Sequence, residues 1–172
     1  LKDERVLAGI DDVAKRYSRG HVEKIMRPSK DRVVPQCPYA ERCGGCMLQH
    51  LSYDAQLDFK TQKVKDSLKR IGHIDAQVYD TIGMKDPYGY RNKAQFPVGD
   101  KGGRAVIGFF EKGSHIVVPS ERCLIQHEAS DIVANTVKKW VEQYNISIYN
   151  EISGQGTLRH IVTKVGFKTK QL

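Results

Sequence analysis

The chain has 172 residues, and its 28 Lys and Arg against 20 Asp and Glu give a formal net charge of +8. With 40% hydrophobic and 28% charged residues, the composition excludes disordered and collagen-like chains and fits one domain, or one and part of another. No continuous apolar run approaches the ~18 residues of a transmembrane helix, so we expect no membrane partner. The positive excess favours a polyanionic partner.

The first residues predict two strands followed by a linker. Apolar residues alternate in Arg5–Ile10 and again in His21–Met26, a pattern typical of strands at the end of a small β-rich unit. The stretch Arg27–Pro35 carries two prolines and four charged side chains, as linkers often do. We therefore divide the chain into residues 1–27 and residues 28–172.

Two helices and several strands are predicted beyond the linker. The first helix covers Ser52–Ile71, with Ser52 as N-cap and Gly72 just after its end, and its apolar residues at helical spacing predict a stripe of Leu57, Val64, Leu68 and Ile71. The second helix covers Ser130–Tyr144. Strands are predicted over Tyr90–Val98, Arg104–Phe110, Ile116–Val118, Ile146–Tyr149 and Leu158–Phe167. This order of elements favours an α+β fold in which an antiparallel sheet carries two main helices.

The two ends of the sequence favour a piece of a longer protein. Leu1 is not an initiator methionine, and the last residues stop inside a strand-like pattern. Nothing in residues 1–30 has the charged, apolar and small-residue order of a signal peptide, which favours a cytoplasmic protein.

Four cysteines carry the strongest chemical signal. Cys37, Cys43 and Cys46 form a C-x5-C-x2-C pattern, and Cys123 lies far downstream. Such a set can form disulfides, hold a structural zinc ion or bind an iron–sulfur cluster. Disulfides suit secreted chains, and zinc usually takes its ligands as two close pairs. A [4Fe-4S] cubane has four separate irons and suits four irregularly spaced thiolates, so we predict a cluster held by these four residues.

The number of cysteines also limits the chemistry of the chain. A cluster that chelates S-adenosylmethionine leaves one iron open and needs three cysteines, whereas four indicate a structural cluster or an electron carrier. Gly44 and Gly45 would allow backbone amides to approach the sulfides of the cluster. Because every thiol is then used, we predict no catalytic residue in this chain.

Three blocks of the sequence resemble one enzyme family. The segment Pro35–Gly72, the string GYRNKAQFPVG at Gly89–Gly99 and the string GTLRHIV at Gly156–Val162 resemble the bacterial RNA (uracil-5-)methyltransferases, in particular their 23S ribosomal RNA branch. Cys123 falls where that family places its fourth cluster ligand. Residues 1–27 resemble the last strands of the TRAM-type RNA-binding β-barrel at the start of these enzymes, so the fold would begin with the end of a small β-barrel.

The resemblance implies a reaction and its cofactors. A cysteine thiolate adds to C6 of the target uracil, C5 takes the methyl group from S-adenosylmethionine, and a carboxylate removes the C5 proton. The family places these groups and the S-adenosylmethionine site in a C-terminal domain, which would begin after about Leu172.

Candidate RNA-binding residues lie in the predicted strand Tyr90–Val98. The period of two sends Arg91, Lys93 and Gln95 to one face, where two cations and an amide can bind phosphate and a base edge. The same row could be the solvated face of a half-buried sheet, but the family resemblance favours RNA and makes Arg91 the first candidate. Arg159 in the block GTLRHIV is the fourth candidate.

The leading prediction is a monomeric fragment of a 23S ribosomal RNA uracil-5-methyltransferase that contributes a [4Fe-4S] cluster and an RNA-binding surface. One alternative is a non-catalytic RNA-binding module with zinc or a cluster, which would form no 5-methyluridine. Another is an iron–sulfur redox protein, which would show a reversible potential and little affinity for RNA.

Overall fold

A computed structural model describes residues 1–172 and divides them into two compact units. The first unit comprises Leu1–Val34 and His50–Ile82, and the second comprises Pro35–Gln49 and Gly83–Leu172. The boundary between the units therefore differs from the predicted division at residue 27, because the first unit also contains residues 50–82. No helix combines the length and the apolar character needed to cross a lipid bilayer.

The first unit begins with an antiparallel two-stranded ribbon of β1 (Arg5–Val13) and β2 (Ser18–Arg27). Both faces of the ribbon are largely exposed, so the barrel to which it was assigned stays a prediction. At its base, the carboxylate of Glu4 accepts hydrogen bonds from Nε and Nη2 of Arg32, at 2.5 and 3.0 Å. This guanidinium holds the pKa of Glu4 well below its usual range.

The first helix, α1 (Tyr53–Asp66), continues as a π-helical turn over Ser67–Ile71, so its predicted extent is confirmed. Its predicted apolar stripe is wrong, because Val64 and Ile71 are 49% and 80% exposed. The buried position is Thr61, whose Oγ1 lies 2.8 Å from the hydroxyl of Thr81 and accepts its backbone N–H at 2.9 Å. Hydrogen bonds between Thr61 and Thr81 therefore replace the expected apolar contacts of this helix.

The second unit contains four strands: β3 (Lys93–Lys101), β4 (Arg104–Phe110), β5 (Val117–Pro119) and β6 (His160–Lys164). They form one antiparallel sheet in the order β5–β4–β3–β6. Together with its helix α2 (Glu128–Gln143), it confirms the α+β class with two main helices. The predicted strand over 146–149 is wrong, because only an isolated bridge joins Ile148 to Leu158.

The core of this unit lies between the sheet and α2. Phe96 on β3 is almost fully buried and packs in one cluster with Ile107, Ala134 and Ile161. The inner face of α2 also carries a buried Ser130, which accepts a hydrogen bond of 2.8 Å from the hydroxyl of Thr163. The packing fixes the direction of α2, and so positions the segment that leads into its first turn.

Candidate functional site

The cysteine-rich loop is held against the end of β4 by backbone hydrogen bonds. Within the loop, the carbonyl of Tyr39 accepts the N–H of Cys43 at 2.8 Å. The N–H of Gly44 donates to the carbonyl of Phe110 at 2.9 Å, and the N–H of Lys112 donates back to Arg42 at 3.2 Å. The loop thus extends the β4 edge by one bridge and acquires a fixed backbone.

The two glycines of the loop have different roles. A Cβ on Gly44 would lie 3.2 Å from Cα of Lys112 and from the carbonyl oxygen of Phe110, so a side chain would disturb the contact with β4. Gly45 donates its N–H to Sγ of Cys43 at 3.4 Å. Gly45 therefore donates to a cysteine sulfur, whereas Gly44 serves the packing of the loop, and the predicted approach of these amides to cluster sulfides stays a prediction.

Cys123 lies in the segment between β5 and α2. Its N–H is 3.2 Å from each carboxylate oxygen of Asp131, in the first turn of α2, and its carbonyl accepts the N–H of Gln126 at 3.1 Å. The N–H of Glu121 donates to the hydroxyl of Tyr39 at 3.4 Å, which links this segment to the cysteine-rich loop. The helix and the loop together fix where the Cys123 thiol points.

The four cysteines line one cavity of about 30 Å³. All four are half-buried free thiols. Burial raises the pKa of Cys123 to about 11, and it also raises the pKa of Cys43, with smaller contributions from Cys46 and Cys37. The structure thus brings together the thiols of two segments that are distant in sequence.

The side chains that line the cavity limit the metal groups it could hold. Thiols are its only strong metal ligands, because no carboxylate or histidine lines it. No three side chains of His, Cys, Asp or Glu are close enough to hold a single metal ion. A lone zinc ion binds all its thiolates at about 2.3 Å, whereas a cubane distributes them over four irons. The soft thiol donors fit the second arrangement, and the cluster itself stays a prediction.

Two glutamines of the cavity were missed by the sequence analysis. Gln49 and Gln126 both line it, each three residues after a cysteine. A repeated pattern carries the signal, since CMLQH at Cys46–His50 matches CLIQH at Cys123–His127 in three of five positions.

Arg91 also lines the cavity, although it does not belong to β3 as predicted. Its N–H donates to the carbonyl of Ile125 at 2.9 Å, and its carbonyl accepts the N–H of His127 at 3.1 Å. A parallel bridge to the segment after Cys123 has replaced the expected start of the strand. Arg91, whose side chain is exposed, consequently lines the same cavity as the four cysteines.

Lys93 and Gln95 are exposed on the outer face of β3, as the period of two predicts. The register with β6 places Lys164 directly opposite Lys93, and Val162 opposite Gln95. Two ammonium groups therefore share one cross-strand pair on an exposed face, where like charges repel. The sequence contained Lys164 as one more cation, but only the register makes it a neighbour of Lys93.

Arg159 is not part of this group. Its carbonyl accepts the N–H of Val98, about 16 Å along β3 from Lys93 at the usual rise of a strand. Its guanidinium lies 4.9 Å from the ring centre of Tyr149 and 3.5 Å from a carboxylate oxygen of Glu151. The hydrogen bond from His115, more than the contact with Arg159, lowers the pKa of Glu151. Arg159 is thus already engaged within the protein.

Comparisons with known proteins give the family context of these features. No protein-family model matches the chain. The chain is 51% identical over its whole length to an uncharacterized RNA methyltransferase of Caldanaerobacter subterraneus subsp. tengcongensis, and 45% identical to one of Clostridium acetobutylicum. It spans about 38% of the length of each of these relatives.

A solved structure has the same fold over most of the chain. The crystal structure of Pyrococcus abyssi tRNA (uracil-54, C5)-methyltransferase in complex with S-adenosyl-L-homocysteine matches with a TM-score of 0.63 and 27% identity. The match covers 95% of this chain and 36% of that one. The named relatives match along the full chain, and the solved structure shares its fold. The chain therefore belongs to the RNA (uracil-5-)methyltransferase family.

Proposed function

We propose that the chain is part of a cytoplasmic, monomeric, S-adenosylmethionine-dependent methyltransferase that modifies C5 of uracil in 23S ribosomal RNA. Within that enzyme it would supply a [4Fe-4S] site and part of the RNA-binding surface. The observation that carries the proposal is the convergence of Cys37, Cys43, Cys46 and Cys123 on one cavity with Arg91 at its border.

The four cysteines are proposed to bind the cluster through one thiolate each. When bound, the cluster would supply four iron–thiolate bonds that cross-link the loop at 37–46 to the segment before α2. The chain contributes the backbone that presents the thiols, through the Gly45 amide and the Asp131 carboxylate. Closing a long loop in this way stabilises a unit whose apolar core is small.

The RNA-binding surface is proposed to consist of Arg91, Lys93 and Gln95, with Lys164 as an addition. An anionic phosphate between Lys93 and Lys164 would offset the repulsion of their ammonium groups. Gln95, on the same face, offers an amide to a base edge, and Arg91 offers a planar guanidinium for phosphate. Arg159 remains a weaker candidate because Glu151 and Tyr149 compete for its guanidinium.

The methyl-transfer step is proposed to use groups outside this chain. All four thiols of the chain are assigned to the cluster, so the nucleophilic cysteine, the base and the S-adenosylmethionine site belong to the remainder of the longer protein. Transfer RNA is the second candidate substrate, because the structural neighbour is a tRNA methyltransferase.

The methylation proposal is tested with the longer protein that contains this chain. We expect it to form 5-methyluridine in 23S ribosomal RNA transcripts with S-adenosylmethionine, measured by mass spectrometry of digested RNA. Arg91→Ala should weaken RNA use, whereas Lys139→Ala removes an exposed cation of α2 as a matched control and should have no effect. Product in tRNA alone would replace the substrate, and no product in either RNA would contradict the proposed activity.

The cluster proposal is tested by anaerobic purification. We expect a brown protein with about four irons and equivalent acid-labile sulfide for each chain. One zinc ion without sulfide would favour the zinc-containing RNA-binding module instead.

A further inference from the structure

The side-chain amide oxygens of two glutamines in the cavity are buried and lack a hydrogen-bond partner. Oε1 of Gln49 and Oε1 of Gln126 are each inaccessible to solvent and accept no hydrogen bond. Gln126 as a whole is only 5% exposed. Buried amides without partners are rare in folded proteins, so both atoms require an explanation.

Both glutamines line the cavity from the same position in a short sequence pattern. Each glutamine is the fourth residue of a Cys-x-x-Gln stretch, one beginning at Cys46 and the other at Cys123. For Gln126, the backbone is fixed on two sides, by its N–H on the carbonyl of Cys123 and by the bridge to Arg91. The two segments thus present one amide each to the same space.

The chemistry of the cavity indicates what these amides bind. The cavity is lined by four thiols, and thiolate and sulfide sulfurs accept hydrogen bonds but donate none. A glutamine amide rotated by about 180° about its last side-chain bond exchanges its carbonyl oxygen for an NH2 group of nearly the same shape. Because the glutamines and the cysteines line one cavity, that rotation would offer a donor to the sulfurs, as the backbone N–H of Gly45 already does to Cys43.

We infer that the side-chain amides of Gln49 and Gln126 donate N–H···S hydrogen bonds to sulfur atoms of the bound cluster. The inference rests on the proposed cluster site and names two positioning residues within it. Donors directed at the sulfurs favour the more negative, reduced state and so raise the reduction potential. They also slow the loss of iron, because each charge-assisted bond has to break first.

The test compares Gln49→Leu and Gln126→Leu with the wild-type protein after anaerobic reconstitution with iron and sulfide. Gln143→Leu is the matched control, since Gln143 is exposed at the end of α2. We expect both cavity variants to have a lower reduction potential, measured by titration with dithionite. Each should lose iron to a chelator about 10-fold faster, which corresponds to the loss of one charge-assisted hydrogen bond. The control should match the wild type in both measurements.

The outcomes distinguish a failure of the inference from a failure of the proposed cluster site on which it rests. If the cavity variants hold a full cluster with unchanged potential, the inference is overturned and the cluster site stands. If the wild type itself takes up no iron and sulfide, the cluster site and the inference both fail. If Gln126→Leu does not fold, the reduction potential of Gln49→Leu decides the matter in the same way. It is read together with the reduction potential of Gln126→Asn, which keeps an amide at that position.

Discussion

Replacing Lys164 with glutamine should stabilise the fold and weaken RNA binding at the same time. Lys164 lies directly opposite Lys93 on an exposed face of the β3–β6 pair. Opposed like charges on neighbouring strands destabilise by about 0.2–1 kcal/mol, so Lys164→Gln should raise the free energy of unfolding by that amount at low salt. The gain should shrink as salt is added, because exposed charges are screened.

The same substitution should remove one phosphate contact. For single-stranded RNA each contact contributes about 0.7 to the slope of log affinity against log salt concentration. Between 50 and 200 mM salt, the wild type should therefore lose roughly 2.6-fold more affinity than Lys164→Gln. Fluorescence anisotropy with a labelled RNA measures the slope, and urea unfolding measures the stability.

Lys139→Gln is the control for the charge itself, since it removes an exposed cation from α2. It should change neither the slope nor the stability beyond the usual range for an exposed side chain. An unchanged slope in Lys164→Gln would refute the placement of an RNA phosphate between the two lysines. A loss of stability at low salt would refute the repulsion between them.

Three further predictions concern the supports of the site and of the ribbon. Asp131→Ala should lower the free energy of unfolding by about 1–3 kcal/mol and reduce the iron content, because the N–H of Cys123 loses its acceptor; unchanged urea unfolding and iron content would contradict this. Gly44→Ala should destabilise by about 1–3 kcal/mol, since its Cβ would meet the backbone of Lys112 and Phe110. Gly45→Ala, whose Cβ has only an ordinary contact with Cys43, is its control, and equal melting temperatures for the two variants would disprove the assignment. Glu4→Gln should destabilise the fold at neutral pH, because the pKa of Glu4 is held low mainly by Arg32. The stabilisation from the Glu4 carboxylate is present above the unfolded pKa of about 4.3 and is lost as the pH falls through the folded pKa. The difference in unfolding free energy between wild type and Glu4→Gln should therefore shrink in acid, and a constant difference would contradict the ion pair.

The elements of the fold that could be predicted are those whose limits are set locally. The bounds of β4, Arg104–Phe110, follow from a short apolar run between two glycine-containing turns. The limits of β3 could not be found in this way, since Arg91 pairs with Gln126 instead of continuing the strand. The stripe on α1 failed for a related reason, because spacing shows which residues share a face and not whether another element covers it.

The site was predictable only in part. The number and spacing of the four cysteines favoured a cluster but left disulfides and zinc as alternatives, and the family resemblance supported Cys123 as the fourth ligand. Asp131 had no local signal, because its role depends on the packing of α2 beside the Cys123 segment. The glutamines did have a signal in the repeated Cys-x-x-Gln pattern, although it becomes meaningful only when both copies face one cavity.

Anomalous diffraction at the iron edge, from crystals grown without oxygen, tests the central claim most directly. We expect four iron positions enclosed by the Sγ atoms of Cys37, Cys43, Cys46 and Cys123, with inorganic sulfide between them. A single zinc atom at this place, or irons whose ligands exclude Cys123, would contradict the cluster site proposed for this cavity.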